Sequence, residues 1–431
     1  MTAEIAIINR SAVTLATDSA VTLTVRSAEK IYNAADKLFE LSDVDPIGIM
    51  IYNNLDFMGV DLEVAIKEFR RKVATVSYAS VFEAAEAFFH YLTSDASTAP
   101  DDEMQREHIR VLLHPLLREI NTVVVQAMRR EFHGKYELVD FSALWTDTLQ
   151  SLISDLEAIE PSGCFEGVSD TDLLNTYSDV IDEEIKRNFG HASLDDSHRD
   201  LLRRACGLAL HRDEYSDSST GIVFAGFGAG ELSPSLVAYQ VDGVISNRLK
   251  RKQIERVVTN RKEVTGEIIP FAQRDMVDRF LYGIDPMFER GIEQYLKMQM
   301  ETVGIALVDS LPRTSRETKE ALNQNVGAAV ALALRIWRQR MMPAVKAEFV
   351  REVQDMIFLM PKQELAELAK ELVNLTSVKR KFSSGKESVG GPIDVAVISR
   401  TDGFVWVQRK HYFEPNLNPG YFHRKYGSAH A

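Results

Sequence analysis

Thr2-Ala3-Glu4-Ile5-Ala6-Ile7-Ile8-Asn9-Arg10-Ser11-Ala12-Val13-Thr14-Leu15-Ala16-Thr17-Asp18-Ser19 follows Met1 directly. Two apolar, β-branched runs flank Asn9-Arg10-Ser11, so the stretch predicts a hairpin of two strands with an acid at the end of the second. Methionine ahead of so small a residue is expected to be removed. Thr2 would then carry both a hydroxyl nucleophile and an α-amine able to act as its base.

Strand character continues outward from this hairpin. Lys37-Leu38-Phe39-Glu40-Leu41 and Ile47-Gly48-Ile49-Met50-Ile51-Tyr52 read as two further strands. The period then changes: Leu62, Ile66, Phe69 and Val73 share one helical face, and Ser80-Val81-Phe82-Glu83 is a capping box opening a second helix. Arg110–Phe132, Phe141–Ile159, Asp170–Phe189 and Asp195–His211 predict helices. Strands return at Gly221–Gly228 and Ser235–Val241, with Asp242-Gly243 read as a tight turn into another short strand. Helices are expected from Phe271 to about Phe382. Ile393–Ile398 and Phe404–Gln408 then form a hairpin around Arg400-Thr401-Asp402-Gly403, and the tail after Phe413 reads as an extended or disordered arm.

This order predicts an α+β fold, a four-layer α-β-β-α sandwich. Residues 1–93, 219–283 and 361–413 would build it. Helical insertions would occupy 94–218 and 284–360, and a C-terminal arm 414–431.

The chain has 431 residues, 45% of them hydrophobic, which is enough for a large core. A net charge of −13 argues against a nucleic-acid partner, which would want a basic face. The clusters Asn247-Arg248-Leu249-Lys250-Arg251-Lys252 and Lys379-Arg380-Lys381 read as solvated helix ends or loops. Cys164 and Cys206 form no disulfide framework or zinc pattern, which fits a reducing cytoplasm. No apolar run spans a bilayer, so no membrane partner is expected. His108 and His114 lack metal spacing, and neither a metal nor a cofactor is called for. Gly226-Phe227-Gly228-Ala229-Gly230 is not a dinucleotide loop, because Ser233-Pro234-Ser235 leads into a strand where a helix should start.

The strand-and-helix order, with Thr2, Asp18-Ser19, Lys37, Ala225-Gly226-Phe227 and Val389-Gly390-Gly391-Pro392, resembles proteasome β subunits and their bacterial relatives, which are N-terminal nucleophile hydrolases. The resemblance covers roughly Thr2–Thr93, Gly221–Gly283 and Pro361–Gln408, and leaves out the two helical insertions. It implies that Thr2 is the nucleophile, with Asp18 and Lys37 as its catalytic partners, Lys30 being the competing lysine. It also implies a backbone N–H near Asn53 or Asn54 as oxyanion donor, and Gly390-Gly391 as a turn supporting the site.

The free α-amine, with a reference pKa of about 7.7–8.0, would be lowered by a neighbouring lysine ammonium and would accept the Thr2 proton. The implied activity is hydrolysis of peptide or other amide bonds, by a threonine-type peptidase or amidohydrolase. Substrates would be peptides or proteins. A homo-oligomer is left open, as is a separate ATPase, because the chain has no Walker loop.

Pro270-Phe271-Ala272-Gln273 stands where the family has Gly-Ser-Gly, and Lys386 falls near a usual aspartate. These two departures favour the alternative, a catalytically inactive scaffold or assembly subunit that binds protein partners.

Overall fold

The computed structural model describes residues 2–25, 28–132, 141–190, 194–259, 266–312, 314–383 and 389–426. Its strands are β1 (Ala3–Ile8), β2 (Ala12–Thr17), β3 (Val21–Val25), β4 (Ala28–Tyr32), β5 (Leu38–Glu40), β6 (Ile47–Asn53), β7 (Asp56–Phe57), β8 (Val60–Asp61), β9 (Thr220–Gly226), β10 (Ser235–Ile245), β11 (Arg248–Val258), β12 (Glu267–Ala272), β13 (Asp394–Ser399) and β14 (Gly403–Gln408). Its α-helices are α1 (Leu62–Lys72), α2 (Val81–Ser94), α3 (Asp102–Phe132), α4 (Phe141–Ala158), α5 (Asp170–Thr176), α6 (Ser178–Phe189), α7 (Asp196–His211), α8 (Asp275–Tyr282), α9 (Pro286–Ser310), α10 (Arg316–Ile336), α11 (Met342–Leu359), α12 (Lys362–Lys381) and α13 (Pro419–Tyr426). Mixed helix and antiparallel sheet make this an α+β protein. Two units divide the chain, 1–38 with 259–431, and 39–258.

The first unit is built on a sheet of order β12-β1-β2-β13-β14, every neighbouring pair antiparallel. Strand alternation sorts its side chains between two faces. Ala3, Ile5 and Ile7 of β1, Ala12 and Ala16 of β2, and Val395 and Val397 of β13 join a core with Leu365, Ala369, Leu372 and Val373 of α12. Burying one such leucine or isoleucine side chain contributes about 1.5–3 kcal/mol. Thr2 and Glu4 carry the opposite parity and fall on the other face of β1. Asn9 closes the β1–β2 turn, its Oδ1 accepting from Ser11 N at 2.9 Å and Ala12 N at 3.1 Å.

The second unit has a sheet of order β11-β10-β9-β6-β5. Ile47, Ile49 and Ile51 of β6 pack with Ile222, Phe224 and Tyr239 against Leu62, Ile66 and Phe69 of α1 and Val81, Phe88 and Phe89 of α2. Ser80 caps α2 by accepting from Glu83 N at 3.1 Å. Helices α3 to α7 bury a separate core around Trp145, Tyr177, Ile181 and Leu202.

The structure corrects several expectations. Asp242-Gly243 is not the turn: β10 continues through it with a bulge, and the chain reverses at Ser246 and Asn247, at φ 53° and 58°. Two consecutive left-handed residues match the twist of a tight hairpin. The cluster Arg248–Lys252 is therefore a strand, neither loop nor helix end. Within it Lys250 is buried and donates to the carbonyls of Ala209 and Leu210, at 3.3 and 3.1 Å. Pro270-Phe271-Ala272, expected to begin helix, closes β12, which pairs with β1. The Asp170–Phe189 helix is broken at Tyr177 into α5 and α6. The tail is not simply extended: Pro415–Leu417 forms a 3-10 turn and α13 follows. Met1, Lys386 and 427–431 lie outside the described residues.

Candidate active site

Four side chains of the first unit converge at one end of β1 and β2. The hairpin register places Glu4 opposite Thr17, and the Asp18 N–H donates to the Ala3 carbonyl at 3.2 Å. Asp18 is thereby locked beside the start of β1.

Its carboxylate is the hub of the cluster. Oδ1 accepts from Ala3 N at 3.2 Å and from Lys37 Nζ at 2.7 Å; Oδ2 accepts from Ala20 N at 3.3 Å and Gly390 N at 2.8 Å. Such donors satisfy a buried carboxylate that would otherwise be costly to remove from water.

The glycine pair has a definite part here. The Gly390 carbonyl accepts from Ser19 N at 3.2 Å, so the turn clasps the end of β2 from both sides. Gly391 has φ 81°, and a Cβ there would lie 2.7 Å from Asn33 Cβ. Only glycine suits that combination of left-handed backbone and close approach.

Lys37 immediately precedes β5, and its side chain has no exposure to solvent. The Ala35 N–H donates to the Ser19 carbonyl at 3.1 Å, which brings the lysine segment against the same turn. Lys30 is exposed, with its ammonium 5.1 Å from the Tyr32 ring centroid. Lys37, rather than Lys30, is the lysine that reaches Asp18.

Thr2 Oγ1 donates to Glu4 Oε2 at 3.0 Å. Glu4 Oε1 faces Lys37 Nζ at 3.3 Å and Thr17 Oγ1 at 3.4 Å. Burial raises the Glu4 carboxyl from 4.5 to about 7; Lys37 pulls it down, Asp18 pushes it up, and the Thr2 hydroxyl favours the ionised form. One buried ammonium stands among two carboxylates, so the second carboxylate has no cation of its own.

No protein-family model and no curated protein matches the chain.

Glu4 is the site residue that sequence reasoning missed. Its signal was present: a single charged residue in Ala3-Glu4-Ile5-Ala6-Ile7-Ile8, one strand period from Thr2. Asn53 and Asn54 belong to the second unit. The Asn53 amide donates to the carbonyls of Asp217 and Ser219, at 3.0 and 2.6 Å, and that of Asn54 to Ser218 at 3.1 Å. Their side chains secure the segment before β9. Phe271 is the β12 register partner of Glu4, and Gln273 N donates to the Thr2 carbonyl at 3.3 Å. The altered family stretch thus closes over the start of β1.

Among the described residues, no group of three His, Cys, Asp or Glu side chains is placed to hold a metal. Nor is any described helix long and apolar enough to cross a membrane.

Proposed function

We propose that this protein is a threonine-type hydrolase of peptide or other amide bonds, with Thr2 as nucleophile once Met1 has been removed. The observation that carries the reading is the convergence of Thr2, Asp18 and Lys37 in one buried, hydrogen-bonded cluster. The Thr2 oxygen attacks the amide carbon, the amine leaves with a proton, and water cleaves the resulting ester. Asp18 holds the backbone beside Thr2 and the Lys37 ammonium at the same oxygen, which keeps a positive charge near the reacting centre.

The reading extends to a four-layer sandwich of the N-terminal nucleophile hydrolase kind. In its support, each unit contributes one antiparallel sheet of five strands with helices packed on it. Peptides or proteins are the proposed substrates. A reducing, cytoplasmic setting is proposed with them, supported by the unpaired thiols of Cys164 and Cys206.

A second reading, an inactive scaffold or assembly subunit, draws on one specific observation: Thr2 is only 4% exposed. A nucleophile must be reached by its substrate.

The two readings separate under a β-lactone probe, which acylates hydroxyl groups, followed by intact-mass and N-terminal analysis. The hydrolase reading expects loss of Met1 and one adduct on Thr2, absent from Thr2→Ala. A wild-type chain that stays unlabelled moves the assignment to the scaffold.

A further inference from the structure

The Thr2 hydroxyl already has a proton acceptor inside the folded chain. Glu4 Oε2 lies 3.0 Å from Thr2 Oγ1, within the range of a working acid–base contact. Both belong to one face of β1, so the contact is built by strand geometry and needs no mobile loop.

We propose that Glu4 is the general base that activates Thr2, in the role the family resemblance gives to the α-amine. This inference rests on the threonine-hydrolase reading. As Oγ1 bonds to the amide carbon, the Oγ1–H bond breaks and its proton passes to Glu4 Oε2, while the carbonyl π pair moves onto oxygen. The carbonyl re-forms as the C–N bond breaks, and the Glu4 proton goes to the leaving nitrogen. Water then attacks the ester and gives its proton to Glu4, which returns it to the departing Thr2 oxygen. Glu4 ends as it began.

The groups facing Glu4 suit this cycle. Lys37 approaches Oε1 from the segment before β5, at 3.3 Å, and Thr17 from β2, at 3.4 Å. Asp18 adds negative charge from the end of β2, and β12 opposes Glu4 with the uncharged Phe271. The resulting balance sets the carboxyl near 7, so at neutral pH it is divided between its ionised and protonated forms, and its ionised form is strong enough to take a proton.

The test measures the rate of Thr2 acylation by the β-lactone from pH 5 to 9. It compares wild type, Glu4→Gln, and wild type whose α-amine has been acetylated. The wild-type rate should rise through pH about 7. The acetylated chain should keep both rate and inflection. Glu4→Gln should lose about a hundredfold in rate, together with the inflection. The inference is overturned if acetylation alone abolishes labelling, or if a folded Glu4→Gln labels like wild type. Acetylation leaves the sequence intact, so that arm decides the question even if Glu4→Gln does not fold. A wild-type chain with no Thr2 adduct would instead remove the hydrolase reading, and this inference with it.

Discussion

Lys37 Nζ and Asp18 Oδ1 meet at 2.7 Å with neither side chain exposed to solvent. An ion pair so placed stabilises little by itself, because both charges have left water. Removing one partner is another matter, since the other stays behind as an uncompensated buried charge. Lys37→Met should destabilise the protein by about 3–5 kcal/mol. Chemical denaturation at neutral pH measures this, and a loss below about 1 kcal/mol would mean that Asp18 finds other compensation among its backbone donors.

Glu4 makes stability pH-dependent in a direction opposite to an ordinary salt-bridged carboxylate. Its folded value, about 7, lies above its unfolded value, 4.5, so the folded state holds the extra proton between these limits. The stability this confers is complete below about 4.5 and is lost as pH rises through about 7. Wild type should therefore lose ground to Glu4→Gln across that window, by roughly 3 kcal/mol from the size of the shift. Paired thermal melts at pH 4.5 and pH 8 check the sign; a constant difference between the two proteins contradicts it.

Gly391 provides a test of the turn that seats Asp18. Alanine there would need φ 81° and would press its Cβ to 2.7 Å from Asn33 Cβ. Gly391→Ala should cost more than about 1 kcal/mol. It should also slow Thr2 acylation, because the Gly390 donor to Asp18 moves with the turn. Unchanged acylation in a destabilised protein would separate the turn from the site.

Thr2→Ser should retain acylation by the β-lactone and Thr2→Ala should abolish it, while both fold. Among the described residues the hydroxyl makes one hydrogen bond, to Glu4, so Thr2→Ala is expected to change stability by no more than about 1–3 kcal/mol, the cost of a lost bond to a charged group. Persistent labelling of Thr2→Ala would place the reactive hydroxyl elsewhere in the chain.

Asn53 is left-handed at φ 69° and its amide bridges two carbonyls of the segment before β9. Asn53→Ala loses both the bonds and a residue tolerant of that conformation; Asn53→Gly loses only the bonds. Alanine should destabilise more than glycine in urea titrations, and equal losses would show that the backbone conformation costs little.

Much of the local structure was legible because its cause is local. Alternation identified β1, β2, β13 and β14, and the Ser80 cap with the Leu62, Ile66 and Phe69 stripe marked the helices beside β6. Asp242-Gly243 misled because a glycine at φ 76° serves a bulge as well as a turn. The Arg248–Lys252 strand was hidden by its charges. Lys250 is buried where the last turn of α7 offers it the carbonyls of Ala209 and Leu210, which no pattern within β11 could reveal.

The sequence by itself determined most of the elements, the α+β class and Thr2 as a candidate nucleophile, since periodicity and turn residues are properties of neighbouring residues; Asp18 and Lys37 entered through the family resemblance, with Lys30 left as a competitor. Tertiary structure alone decided that β12 flanks β1, that Lys37 and not Lys30 meets Asp18, and that Glu4 turns a carboxylate toward the Thr2 hydroxyl. Each of these depends on which distant segments share a sheet edge or a buried charge. That choice is made by the free energy of packing and desolvation across the whole unit, which no window of sequence contains.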